Sequence, residues 1–469
     1  MNFADGHGAA LRTPDLERRF VEYIHGTSYA DLPEDTIDAA RRTLLWSVAI
    51  AIAGAGAQGS DAIARFALDH GGREDATIIG IGRRAPAGLA AFANVCFAKA
   101  HEYEDKYWLD TDGGFAMGFA VAPAVLAAAE AEGGIDGQRV LAAIALGVDA
   151  QARLLSAIKS DLAPTHTGWN STYLFCNYGA TVGVAKVLGL SEAQMLDALG
   201  LIHAQAAGNF QGQMEGVLGI RLQGGFAVRN AIAAVELARL GITGAHQFLT
   251  GRFGFYKLHF PNHTVDYDDI LRDAGRVFLG TNLGFKGYPC GVVAHPILDA
   301  VRQLRPKAAL KDIRKIKVYG TTILGIMAEP REQRLNPRNA IDAQFSLPWV
   351  IACVLRDGNL RLSHFDDALV RNAEYLDIAH KVEIDMQEGR KAATVAFELA
   401  DGTMLNSEPV EFCKGHPENP VTTEEMVDVL RSHLPLAPVP YTAEEGDRII
   451  SRLLAISELS DVRQVFQKS

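Results

Sequence analysis

The hydrophobic period of this chain changes near residue 265. Before that point, apolar residues recur at helical spacing in one segment after another. The pattern predicts helices at 15–25, 33–53, 86–104, 116–132, 138–158, 172–188, 191–206 and 222–240. Ser60 is placed to cap a further helix, "DAIARFALDH", which ends at Gly71-Gly72. Several segments are rich in Ala, Leu and Val on most faces, which predicts burial at the centre of a helical bundle.

After residue 265, "IRKIKVYG" and "HKVEIDM" alternate as strands do, and "KAATVAFELADGTMLNSEPVEF" reads as two strands joined by Asp401-Gly402. A helix is expected at 341–356, and the chain turns helical again at 422–433 and 442–456. The fold class is therefore mostly α. We expect a large all-α domain at 1–267, completed by 409–469, and a smaller inserted α+β lid domain at 268–408. A cleft between the two is the default place for a small-molecule site.

Composition narrows the function classes. Hydrophobic residues make up 48% and charged residues 22%, as in a globular protein with a large core. A net charge of −11 with no basic run argues against nucleic-acid and anionic-membrane partners. The cysteines Cys96, Cys176, Cys290, Cys353 and Cys413 are scattered and form no CxxC pair, so reduced thiols are expected. The N-terminus has no apolar signal region, and "LLWSVAIAIAGAGA" is too short and glycine-broken to cross a membrane. A cytoplasmic location is the expectation. There is no Walker A sequence, GxSxG or HExxH, and "GIGRRAPAG" lacks the spacing of a dinucleotide loop. Neither a metal nor an organic cofactor is expected, so the chemistry falls to acid–base side chains.

Four stretches carry candidate chemistry. In "KAHEYEDKYW" (99–108), His101 and Asp105 are i, i+4 neighbours on a helix, as are Glu102 and Lys106. A solvated helix end is one reading. The other is a carboxylate cluster at the mouth of a buried helix, where desolvation and mutual repulsion raise one pKa for proton transfer. In "THTGWNSTYLFCNYG" (165–179), Asn170 or Ser171 caps a helix, or the helix N-terminus binds a substrate carboxylate. In "GIRLQGGFAVRNA" (219–231), Arg221 and Arg229 are surface residues or a carboxylate clamp. In "FKGYPCGVVAHPILDA" (285–300), Lys286, Tyr288, Cys290 and His295 form a turn and helix entry, or Lys286 binds an anion.

Six ordered stretches give the chain a family likeness. They are "NVCFAKAHEYED", "LGLSEAQMLDALGL", "FLTGRFGFY", "FKGYPCGVVAHPILDA", "AQFSLPWVIACVLRDGNL" and "KGHPENPVT". The chain resembles the MmgE/PrpD family, which includes 2-methylcitrate dehydratase, cis-aconitate decarboxylase and iminodisuccinate epimerase. The resemblance implies a helical domain with an α+β lid, a homodimer, and proton removal beside a carboxylate without a cofactor.

Position by position, the chain departs from the family pattern. Aligned on Asn94 in NGxxxHxxDxDD, the Gly becomes Val95, the His Lys99, the first Asp Glu102, and the later acidic pair Glu104 and Asp105. In GFHPT the His becomes Asn170 while Thr172 matches. In KRLH, Ile220 takes the Lys position, Arg221 and Leu222 match, and Gln223 replaces the His. Lys286 in "KGYPC" matches. The loss of a positive charge at Ile220 points to a substrate with fewer carboxylates, or with an apolar portion.

The reading that follows is a cofactor-independent lyase, a hydro-lyase acting on a small hydroxy or unsaturated carboxylic acid. An epimerase, a decarboxylase and a non-catalytic ligand binder are its alternatives. Glu102 is the carboxylate expected nearest the chemistry. Lys99 and His101 are candidate proton donors, although a regular helix sets them about 200° apart. Lys286 and Arg221 are candidate carboxylate binders, Lys286 within the catalytic group. Asn170, Thr172 and Gln223 shape the pocket, with Tyr288, Glu104 and Asp105 on the substrate side. An epimerase would need Glu102 opposed by Lys99 or Tyr288 across the substrate.

Overall fold

A computed structural model of the chain describes residues 15–108, 114–159, 162, 167–390 and 392–467. The architecture is mostly α. Helices α1 (Leu16–Gly26), α2 (Glu34–Gly54), α3 (Ser60–Asp69), α4 (Ala87–Lys99), α5 (Gly118–Glu132) and α6 (Gly137–Ser156) come first. Then follow α7 (Ser171–Val187), α8 (Glu192–His203) and α9 (Leu222–Arg239). Most bounds lie within a few residues of those expected. Ser60 is the first residue of α3 rather than its cap, and its hydroxyl donates to the Gly54 carbonyl at 2.6 Å.

The apolar runs are central, as their composition requires. Every residue from Thr43 to Gly54 of α2 is buried, and so is every residue from Ala90 to Lys99 of α4. Helix α4 packs against α2, α5 and α9, while α7 packs against α5, α6 and α9. At Gly54 the backbones of α2 and α4 touch, and a Cβ there would overlap the Phe97 carbonyl. This contact locks the C-terminal end of α4, where the charged residues begin.

An antiparallel pair, β1 (Ala76–Ile78) and β2 (Arg83–Ala85), lies in the first half, and the second half holds a four-stranded sheet, β6 (Ile313–Gly320), β7 (Val382–Met386), β8 (Thr394–Leu399) and β9 (Met404–Asn406), in the order β7-β6-β8-β9. The β6–β7 pair is parallel and the other two are antiparallel. The β8–β9 turn is the Asp401-Gly402 hairpin, with Gly402 at φ +88°. Helix α10 (His295–Leu304) packs on β8, α11 (Leu347–Asp357) packs on α10, and α12 (Ala373–Ala379) packs on α11. The helix expected at 341–356 is two pieces. A short helix Ala340–Gln344 ends, and Ser346 caps α11 by accepting the Trp349 N–H, with Pro348 in its first turn.

The last helices, α13 (Thr423–His433) and α14 (Ala443–Leu454), return to α2. Arg42 donates to the Val421 carbonyl, and His433 Nδ1 lies 3.0 Å from the Ala49 carbonyl. All five cysteines are buried and unpaired. Among the described residues, no helix is long and apolar enough to cross a membrane.

Candidate active site

Helix α4 ends on Lys99, a buried residue. The Glu102 N–H bonds back to the Lys99 carbonyl at 3.3 Å, and Glu102 takes φ +50°. That left-handed conformation is unusual for a side chain larger than Asn and turns the chain out of the helix. The helix expected to reach residue 104 therefore stops at 99, and the i, i+4 pairs His101–Asp105 and Glu102–Lys106 do not form. Residues Asp105–Trp108 are instead a strand, β3, between β4 (Gly114–Phe115) and β5 (Leu283–Phe285).

Register then assembles the site. Asp105 pairs with Phe285 in the antiparallel β3–β5 ladder, so the next positions outward, Glu104 and Lys286, face each other. Glu104 and Lys106 are two residues apart on an extended chain and share a face. Lys286 Nζ donates to Glu102 O at 2.7 Å, to Glu102 Oε2 at 3.3 Å and to Glu104 Oε1 at 3.1 Å. Lys99 Nζ donates to Glu104 Oε1 at 2.8 Å and is ion-paired with Glu102. Lys106 Nζ stands 3.2 Å from the same Glu104 oxygen. Among the described residues, Glu104 Oε2 is buried without a hydrogen-bond partner. Three lysines thus share two glutamates.

The electrostatics follow from that crowding. Burial works against the Glu104 anion, but Lys286, Lys99 and Lys106 together hold its pKa well below the usual carboxylate range. The expected rise of a carboxyl pKa by mutual repulsion does not occur at Glu104, because cations outnumber carboxylates around it. Burial likewise opposes the Lys99 cation, and Glu102 and Glu104 reverse this, raising its pKa. Lys106 has the weakest compensation. Burial, with Lys286 and Lys99 adding repulsion, pulls it down to about 8 despite Glu104. The sequence places Lys106 only in a helical pair with Glu102, outside the candidate site residues. Reading "DKYW" as a strand would have paired it with Glu104.

The other expected residues divide. Asp105 serves the fold: its carboxylate accepts the N–H groups of Met117, Gly118 and Phe119 at 3.0, 2.8 and 2.7 Å, closing the N-terminus of α5. Burial, with the Glu104 charge adding repulsion, raises its pKa in spite of these bonds, so the expected rise falls on Asp105. The Tyr288 hydroxyl is engaged by donating to Asp299 at 2.5 Å and lies 3.3 Å from Arg302 Nη1. Lys99 touches Glu102 directly. Neither is therefore opposed to Glu102 across an open space, the arrangement an epimerase would need. Gln223 exchanges two bonds with the Asn209 backbone. Thr172 Oγ1 accepts the Ala116 N–H at 3.1 Å. Asn170 precedes α7 without a side-chain capping bond, and its N–H bonds the Gly208 carbonyl. His166 of the same stretch lies outside the described residues. Tyr173, one position past Thr172, is fully buried; its hydroxyl has no hydrogen-bond partner among the described residues and lies within electrostatic reach of Lys99 and Glu102.

His101 and Arg221 stand together on a separate cavity of about 360 Å³. His101 Nε2 is 3.4 Å from the Ala53 carbonyl, and burial with the Arg221 charge lowers its pKa to about 3, so it stays neutral. A larger groove, about 1000 Å³, runs past Tyr103, Asp299, Arg302 and Lys414 and meets the cluster only at Lys286. Among the described residues, no three His, Cys, Asp or Glu side chains are grouped closely enough to hold a metal ion.

The mostly helical chain carries a buried lysine–carboxylate cluster where the end of α4 meets β3 and β5, and the proteins it is similar to are lyase-type enzymes. The chain belongs to the MmgE/PrpD family: residues 18–268 match the MmgE/PrpD N-terminal domain and residues 288–454 the C-terminal domain. It is similar to cis-aconitate decarboxylase of Aspergillus terreus, 28% identical over 93% of this chain and 92% of that protein. It is also similar to cis-aconitate decarboxylase-like protein oryM of Aspergillus oryzae, 25% identical over 93% of each chain.

Proposed function

We propose that the chain is a hydro-lyase acting on a small hydroxy or unsaturated carboxylic acid. The observation that carries this reading is the excess of buried positive charge: Lys99, Lys106 and Lys286 share only Glu102 and Glu104. A buried cation without its own anion is unfavourable, and an incoming carboxylate supplies one. Removing the proton beside that carboxylate makes an enediolate, whose added charge fixed cations stabilise.

In this reading Lys286 and Lys99 bind the carboxylate while Glu104 keeps them in place. Glu102 takes the proton from the neighbouring carbon. Lys106 protonates the departing β-hydroxyl, which leaves as water while the C=C bond forms. Its ammonium suits the task, because its one ion-pair partner among the described residues leaves N–H protons for a substrate.

Decarboxylation is the second reading, favoured by the names of the relatives. There the same cations would stabilise the carbanion left by carbon dioxide, and Lys106 would return a proton to carbon.

A panel of C4–C6 hydroxy and unsaturated acids separates the two. Dehydration is read as absorbance of the conjugated C=C bond, decarboxylation as released carbon dioxide. We expect Glu102→Gln to abolish turnover while the circular dichroism spectrum is retained. Solvent deuterium entering substrate with no net product would point to epimerisation instead. Acids that raise the melting temperature yet never react or exchange would make the chain a ligand binder and overturn the enzyme reading.

A further inference from the structure

The contacts within the lysine cluster are unequal. Lys99 and Lys286 each touch both Glu102 and Glu104, while Lys106 touches Glu104 alone among the described residues. All three nitrogens lie within 3.2 Å of Glu104 Oε1, so no two of them are farther apart than twice that length. Ammonium groups crowded this closely in a buried place repel one another. The least costly relief is loss of a proton from the one with fewest anions around it.

That one is Lys106, and the other groups about it do not change the balance. Asp105 spends its carboxylate on the α5 amides. His295 and the Cys176 thiol, both within electrostatic reach of Lys106, are held neutral by burial. The lowering of Lys106 to about 8 agrees with the contacts. Roughly a tenth of it is free amine at pH 7, against under about a thousandth of an ordinary lysine. The free amine keeps one N–H on Glu104 Oε1 and turns its lone pair away from that oxygen. Its side chain is also the most exposed of the three, at 10% against 7% for Lys99 and 1% for Lys286.

We infer that Lys106 is a nucleophilic amine that forms an imine with the ketone of a small β-keto acid and so removes carbon dioxide from it. The inference goes beyond the hydro-lyase reading and does not rest on it, since dehydration uses the ammonium and imine formation the free amine. Lys106 Nζ adds to the ketone carbon, and the carbinolamine takes up a proton and loses water to give a protonated imine. The bond from the α-carbon to the carboxylate breaks, its electron pair moves toward the imine nitrogen, and carbon dioxide leaves. The enamine then takes a proton at carbon, and water hydrolyses the imine, releasing the ketone and restoring the amine. The sum consumes one proton and no oxidant or reductant.

The test is acetoacetate added to the full chain at pH 7 with sodium cyanoborohydride, which reduces an imine to a stable amine. Intact mass and peptide mapping locate the adduct, and carbon dioxide release is measured without the reductant. We expect one adduct, at Lys106, in the form of an isopropyl group because carbon dioxide has left. Lys106→Arg keeps the charge and should lose both the adduct and the catalysed release. The peptide map of the wild-type chain decides the matter if that variant fails to fold. No adduct, adducts confined to surface lysines, or release by Lys106→Arg equal to wild type would overturn the inference. So would a Lys106 adduct that retains its carboxylate while no carbon dioxide is released.

Discussion

Lys106 Nζ and Glu104 Oε1 stand 3.2 Å apart in the buried centre of the molecule, and that oxygen also receives Lys99 and Lys286. Lys106 is the member of this trio with a single carboxylate contact, and it is held down to about 8. If its ammonium is the proton donor, turnover should fall as pH rises through about 8. Lys106→Arg keeps the charge and should remove that falling limb while slowing the reaction. Lys106→Met should cost about 10²–10⁴ in rate, the usual contribution of a general acid. A pH–rate profile unchanged in Lys106→Arg would count against the role.

Glu104 holds three ammonium groups at once. Glu104→Gln leaves them only Glu102, and removing one partner from a buried charge set costs about 3–5 kcal/mol. We expect a lower urea midpoint for this variant at pH 7. Glu104→Gln combined with Lys106→Met removes one charge of each sign and should recover part of the loss.

Asp105 closes the first turn of α5 with three hydrogen bonds. Asp105→Ala should destabilise the chain by about 1–2 kcal/mol, the value of a strong helix cap. Hydrogen exchange of the Met117, Gly118 and Phe119 amides should accelerate before that of the α5 interior. Unchanged protection there would show that the cap is dispensable.

Two buried histidines join His101, itself held to about 3, in setting an acid limit. His295 is held to about 3 by burial and the Lys286 charge, and His433 to about 4 by burial. Both are neutral in the folded chain near pH 6, whereas their unfolded counterparts protonate below about 6.5. Stability is therefore full above pH 6.5 and falls as pH drops toward 4, by about 1.4 kcal/mol per pH unit for each group. His433→Gln should flatten the slope of unfolding free energy against pH over this window. A slope equal to wild type would rule His433 out as a contributor.

Local sequence carried much of this architecture. The apolar runs of α2, α4, α5 and α7 are legible because those helices are buried on most faces, and Asp401-Gly402 announces its hairpin. The end of α4 was not legible. Glu102 leaves the helix through a left-handed turn that helix-former residues on both sides conceal. Strand β3 is equally hidden, because β5, the partner that fixes its register, lies far along the chain. The site shared this limit. Lys99, Glu102 and Lys286 are found through the family likeness. The Asp105 carboxylate is bonded to backbone amides and the Tyr288 hydroxyl to Asp299, and neither partner shows in local spacing. Lys106 joins the cluster only once the β3 register is known.

Helix α2 offers one more consequence. One part of its buried surface, beyond that packed on α4, α5 and α6, is covered by α13 and α14, through contacts such as His433 with Ala49. Those helices leave the ribosome long after Gly54 does. At about 5–20 residues per second the delay is tens of seconds. Throughout it, nascent α2 presents an uncovered stretch of Leu, Val, Ala and Ile, the kind of surface that chaperones bind.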